Sequence, residues 1–153
     1  MRTLGNILWH FPFLGFVSAL ATFLLGGALT LLVVTAPIGL GLMQLAKFML
    51  APFSYCMVSK DELAIEQNRY WKAYSTLIMI LYLPIGTIMA AVATVQVVLL
   101  FFTIVGIPVA LVLAKSLGTY FNPVGKICVP MAVGDALYRR RMDEAAQAYR
   151  GQK

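Results

Sequence analysis

The chain has 153 residues, of which 61% are apolar and only 12% charged, and it carries a net charge of +6. A soluble domain carries roughly 25% charged residues, so the polar surface that a water-exposed globule needs is missing. The cationic excess comes without aromatic–basic interleaving, which excludes a nucleic-acid interface and points to a membrane surface.

The placement of charge gives the elements. Between Arg2 and Lys47 there is no Lys, Arg, Asp or Glu, and between Lys72 and Lys115 there is again none. About 20 predominantly apolar residues cross a bilayer core, so each stretch has room for one crossing and a second element. Arg2, the apolar run and Ala19-Leu20-Ala21 imitate a secretory signal. The run continues uncharged to Lys47, however, which marks it as a membrane helix. A first long helix is predicted over about 13–35, then a break at Ala36-Pro37-Ile38-Gly39 and a shorter helix over about 38–51 carrying Lys47. A polar loop, 54–72, follows. Its Lys60-Asp61-Glu62-Leu63 is internal and therefore no retention signal. The order then recurs: a long helix over about 75–105, a break at Gly106-Ile107-Pro108, and a short helix over about 109–121 carrying Lys115. A basic tail, 127–153, contains Arg139, Arg140, Arg141, Arg150 and Lys153.

This recurrence is a duplication. At an offset of 71 residues Pro37 meets Pro108 and Pro52 meets Pro123, Leu40 meets Leu111, and Val34 meets Val105; at one residue more, Pro12 meets Pro84. Proline lacks an N–H and clashes with the preceding turn, so matching prolines imply matching helix boundaries. The expected fold is all-α: a polytopic helical membrane protein in one domain. Its two similar halves, about 5–53 and 76–124, each hold a long transmembrane helix, a Pro/Gly break and a shorter helix.

Two topologies satisfy this pattern. In a hairpin arrangement each half goes out and returns, leaving the N-terminus, the 54–72 loop and the tail cytoplasmic. In a single-crossing arrangement the short helices lie flat and the halves become inverted repeats, as in transporters. Lys60, Arg69 and Lys72 in the loop favour the hairpin, because cations near spans stay inside.

The opening MRTLGNILW, the LAKFMLAPF stretch at 45–53 leading to Lys60-Asp61-Glu62-Leu63, IVGIPVALVLAK at 104–115 and NPVGK at 122–126 resemble, in order and over nearly the whole chain, the YccF-type inner-membrane domain family of bacteria. The resemblance implies a protein of the bacterial plasma membrane and brings no catalytic residue with it; the apolar stretches make that protein multi-pass, and the cations after the last of them place the tail in the cytoplasm. Leu77 to Tyr82 departs from the family pattern, where an Asn- and Trp-rich run is expected.

No arrangement of acids, bases and nucleophiles suggests an enzyme. His10 is the one histidine, and the carboxylates fall in the loop or the tail. Asp61, Glu62 and Glu66 have no histidine companion for a metal, so no cofactor is expected. Cys56 and Cys128 lack CxxC spacing and belong to a reducing compartment. Charges within a bilayer cost roughly 2.5–3.5 kcal/mol and tend to mark functional paths. Lys47 and Lys115, with Gln44 and Gln96, are accordingly candidates for a pathway, or for bonds across helices; a snorkelling lysine is the plainer alternative. Pro37, Gly39, Gly106 and Pro108 are the helix breaks, which must be buried or line water. Ser18, Thr22, Gly26 and Thr30, and Gly86, Ala90 and Thr94, recur every four residues and suit close packing between the long helices or between subunits. Arg139, Arg140 and Arg141 on an amphipathic tail helix suit anionic lipid headgroups, although that helix could instead pair with a neighbouring subunit. The expectation is a homo-oligomer in the bilayer that forms a channel or transport pathway, with a non-transporting scaffold or accessory subunit as the alternative.

Overall fold

The computed structural model describes residues 2–11, 13–104 and 106–151. Helix α1 (Arg2–His10) turns through 77° into α2 (Gly15–Leu31). Leu14 takes the turn with φ 52°, a left-handed conformation that costs a residue with a Cβ about 1–2 kcal/mol. Glycine follows because a Cβ at position 15 would run into the Trp9 indole. A short 3-10 turn, Val33–Thr35, leads into α3 (Ala36–Leu50). Pro37 lies in the first turn of α3, where its missing N–H leaves no helical bond unmade. The break therefore precedes the Pro/Gly signal and falls at Leu32–Val33, with Val33 at φ 43°.

The second half differs from expectation mainly at its start. Helix α4 (Arg69–Phe101) begins before the expected residue 75, because Asn68 caps it by accepting from the Tyr70 amide. It runs through Pro84 without ending. Helix α5 (Ile107–Phe121) again has its proline, Pro108, in the first turn and Gly106 at its N-cap. The expected partner of Pro84, Pro12, and the expected partner of Val34, Val105, lie outside the described residues, as does Lys153 in the tail. Two helical stretches, Val33–Leu50 and Arg69–Phe101, are long and apolar enough to cross a membrane; there are three if α1 and α2 count as one bent span.

The described chain is mostly helical, as expected, but it also carries one two-stranded ladder that an all-α fold does not include. Strand β1 (Tyr55–Ser59) pairs antiparallel with β2 (Lys126–Pro130), joining Tyr55 to Pro130, Met57 to Cys128 and Ser59 to Lys126. Helix α6 (Met131–Arg150) then closes the described chain. The bounds of α3 and α5 stand 71 residues apart at both ends, 36 to 107 and 50 to 121. So do those of β1 and β2, 55 to 126 and 59 to 130. Met57 thus faces its own counterpart, Cys128, and the ladder maps onto itself by a half-turn about that pair. The core draws on both halves: Trp9, Ala19, Leu45, Phe48 and Met49 pack with Val112.

Candidate functional site

Helices α2 and α3 form a tight antiparallel hairpin through part of the small-residue face. The Thr22 hydroxyl lies 3.5 Å from the Met49 sulfur, a Cβ on Gly26 would stand 2.9 Å from the Gly39 carbonyl, and Thr30 bonds back to the Gly26 carbonyl at 2.7 Å. Ser18 is exposed, and buried Ala19 takes its place. In α4, buried Gly86 meets the Phe121 carbonyl. Ala90 is half-buried and Thr94 exposed, the contact continuing through Ala93 and Val97. Each stripe therefore meets its own half's short helix. Gly39, read as part of a break, is a buried member of this contact, and Gly106 closes against the Leu100 carbonyl.

The four pathway candidates divide. The Gln44 side-chain oxygen accepts from the Cys128 amide at 3.2 Å. The Lys115 ammonium donates to the Pro52 carbonyl at 3.3 Å and sits 5.0 Å from the centre of the Phe53 ring, within cation–π range. These two residues are 71 apart, and each reaches across to the backbone of the other half. Lys47 is exposed beside Phe16, Leu20, Phe23 and Leu50, and Gln96 is exposed on α4.

A set of aromatic and imidazole donors, which no pattern in the sequence announces, ties off the short helices. The Trp9 indole donates to the Met49 carbonyl at 2.7 Å, and the Tyr82 hydroxyl donates to the Tyr120 carbonyl at 3.3 Å. Met49 and Tyr120 are again counterparts at 71. His10 Nε2 bonds the Leu50 carbonyl at 2.7 Å, which requires that nitrogen to carry the proton. Nδ1 is buried with no partner among the described residues.

Three ion pairs form among the described residues. Lys72 pairs with Asp61 at 2.8 Å, Arg141 with Glu62 at 2.5 Å and Arg140 with Glu144 at 3.0 Å. Two of the three arginines expected to meet lipid are thus held by carboxylates, and the Arg141 pair fixes α6 to the 54–72 segment. The Tyr74 hydroxyl, two residues past Lys72, donates to the Val34 carbonyl at 2.8 Å. The hairpin arrangement puts the Val33–Thr35 tip and the polar loop on opposite membrane faces, separated by about 30 Å of hydrocarbon. A single tyrosine side chain cannot bridge that distance. The hairpin arrangement is therefore at odds with this contact for the first half.

Paired strand residues share a face and neighbours alternate, so Cys56 and Cys128 lie on opposite faces of the ladder and are free thiols. Burial, then the Asp135 charge, raises the Cys56 pKa. Burial, reinforced by Cys56, pushes Cys128 up to about 11. Among the described residues no group of His, Cys, Asp or Glu could hold a metal ion.

Residues 4–55 match the YccF family, described as an inner membrane component domain. That match covers α1, α2 and α3 and stops at the start of β1, a narrower extent than the resemblance read from the sequence. No curated protein and no solved structure matches the chain. With the long apolar helices, the family match supports a membrane protein of the bacterial inner membrane.

Proposed function

We propose that this chain is a non-enzymatic accessory or scaffold subunit of the inner membrane, built from two repeated halves, that presents α6 to a protein partner at the cytoplasmic face. The observation that carries this reading is α6 itself. It runs from Met131 to Arg150 without one buried residue, with Tyr138, Met142 and Tyr149 exposed, and an ion pair anchors it to the polar segment. The test is purification from native membranes in a mild non-ionic detergent. A stoichiometric partner is expected with the whole chain and lost when the chain ends after Pro130. Retention of the same partner by the shortened chain would refute the reading.

The topology that fits is multi-pass. Helix α4 leaves the cytoplasmic face and α5 returns, while the tip of the first hairpin stays beside the polar segment and the tail. The 28 residues from Tyr74 to Phe101 cover about 40 Å at about 1.5 Å each, more than the core requires. A cysteine at Thr103 should label from outside intact cells, and cysteines at Leu32 and Ser59 should not. Outside labelling at Leu32 would restore the hairpin arrangement.

Gln96 favours a second reading, an oligomeric transport pathway. An exposed amide on the apolar part of α4 is costly in lipid unless it finds water or a second copy. Solute or ion flux in proteoliposomes that disappears on Gln96→Leu would support it. A sealed liposome under every gradient tried would count against it.

A further inference from the structure

A small cleft opens where the 60–68 segment, the first turns of α4 and the start of β2 meet the N-terminal half of α3. Its polar wall comprises Gln44, Lys60, Gln67, Trp71, Ser75 and Lys126, and its volume is about 90 Å³. The ladder builds it: Ser59 pairs with Lys126, and the Lys60 amide donates to the Gly125 carbonyl at 2.9 Å, which brings both lysines to one end. Gly125 has φ +70°, a conformation that glycine adopts without penalty.

The electrostatics of this corner are unbalanced. Nearby Lys72 and Arg141 have carboxylate partners, but neither Lys60 nor Lys126 has an ion pair among the described residues. Ser75 is only 8% exposed, and its hydroxyl has no hydrogen-bond partner among the described residues. The indole of Trp71 offers a donor and no acceptor. Two lysines without an ion pair among the described residues, a serine hydroxyl, an indole N–H and two amides suit a compact oxyanion. A cleft of about 90 Å³ holds several waters, which leaves room for a phosphoryl group. Pro37 and Leu40 form the apolar wall, and Leu40 is exposed, so the cleft has a greasy lip next to its polar floor.

We infer that this cleft binds a phosphate group, supplied by the headgroup of an anionic lipid or as free phosphate. The site is independent of the partner proposed for α6 and is tested without one. Protein purified in maltoside is titrated with short-chain phosphatidylglycerol, short-chain phosphatidylcholine and inorganic phosphate, and binding is read from the thermal midpoint. Phosphatidylglycerol is expected to raise the midpoint saturably, and phosphatidylcholine far less. The K60Q/K126Q variant should bind roughly thirtyfold more weakly at low salt. An equal response to inorganic phosphate would identify free phosphate as the ligand, whereas no response to it would identify the lipid. The inference is overturned if no phosphate compound shifts the midpoint beyond equimolar chloride, or if K60Q/K126Q responds like the native chain. Should the double variant fail to fold, K60Q and K126Q read separately must each weaken binding; if both single variants bind normally, the site is refuted.

Discussion

Gly39→Ala is the sharpest test of the first hairpin. An ideal Cβ at position 39 stands 2.5 Å from the Gly26 carbonyl oxygen and 2.6 Å from the Thr30 amide, against an ordinary contact of about 3.4 Å. Both neighbours are backbone, so no rotamer change relieves the clash, and α2 must move away from α3 by about 0.9 Å, the difference of 3.4 and 2.5. Overpacking of this kind costs about 1–3 kcal/mol, and alanine in a helix returns about 0.5–1 kcal/mol over glycine. The net loss, about 1–2 kcal/mol, lowers the melting midpoint by roughly 3–6 °C in a chain of this size. Gly27→Ala is the matched control, since a Cβ there meets nothing within 4 Å. It carries only the helix-propensity gain and should raise the midpoint by about 2 °C. Thermal unfolding of both variants in maltoside decides the matter. If Gly39→Ala moves the midpoint in the same direction as Gly27→Ala, the close contact between α2 and α3 does not exist.

Three further outcomes follow from the polar contacts. Gln44→Leu strips the Cys128 amide of its acceptor; the loss is about 1–3 kcal/mol, and hydrogen exchange at that amide should quicken, an unchanged rate refuting the cross-link. At pH 8, a Cys128 thiol at about 11 in place of 9.0 holds about 100-fold less thiolate, so iodoacetamide should modify it slowly, with a rate still climbing steeply at about pH 10; a rate that levels off by about pH 10, as for an unshifted thiol, would exclude the burial described. Glu62→Gln breaks an exposed pair worth at most about 1 kcal/mol: the midpoint should barely move while α6 becomes more open to trypsin, and unchanged cleavage would show that something else holds the helix.

The order of the helices was readable because lipid demands long uncharged stretches, and the offset of 71 because prolines mark helix starts whatever surrounds them. Proline was misleading about position. Read as a break, Pro37 instead begins α3, since a first-turn proline lacks only a donor that has no helical partner anyway. The ladder was not legible. Each strand has five residues, and what stabilises the pair is the partner strand, 71 residues away. The cleft escaped for the same reason: Lys60 and Lys126 become neighbours only through that pairing. The small-residue stripes were visible, but not which helix they meet, because spacing of four defines a face and not its partner. Face drift also moved Ser18 and Thr94 outward.

The two halves differ where hydrogen-bond polarity requires it. At one position of each short helix stands a residue that reaches into the other half, Gln44 to an N–H and Lys115 to a C=O. An amide oxygen accepts and an ammonium only donates, so a lysine at position 44 could not take the place of Gln44 opposite the Cys128 N–H. Of the four polar side chains read as pathway candidates, Gln44 and Lys115 thus join distant parts of the chain, whereas Lys47 and Gln96 are exposed. The two stretches also differ in shape. The first half bends by 77° at Leu14, whereas the second runs straight through Pro84 as one 33-residue helix. The 60–68 segment and α6 each occur once, and they are linked by Arg141 and Glu62. The 60–68 segment supplies Lys60 and Gln67 to the cleft, against Gln44 of α3 and Lys126 of β2.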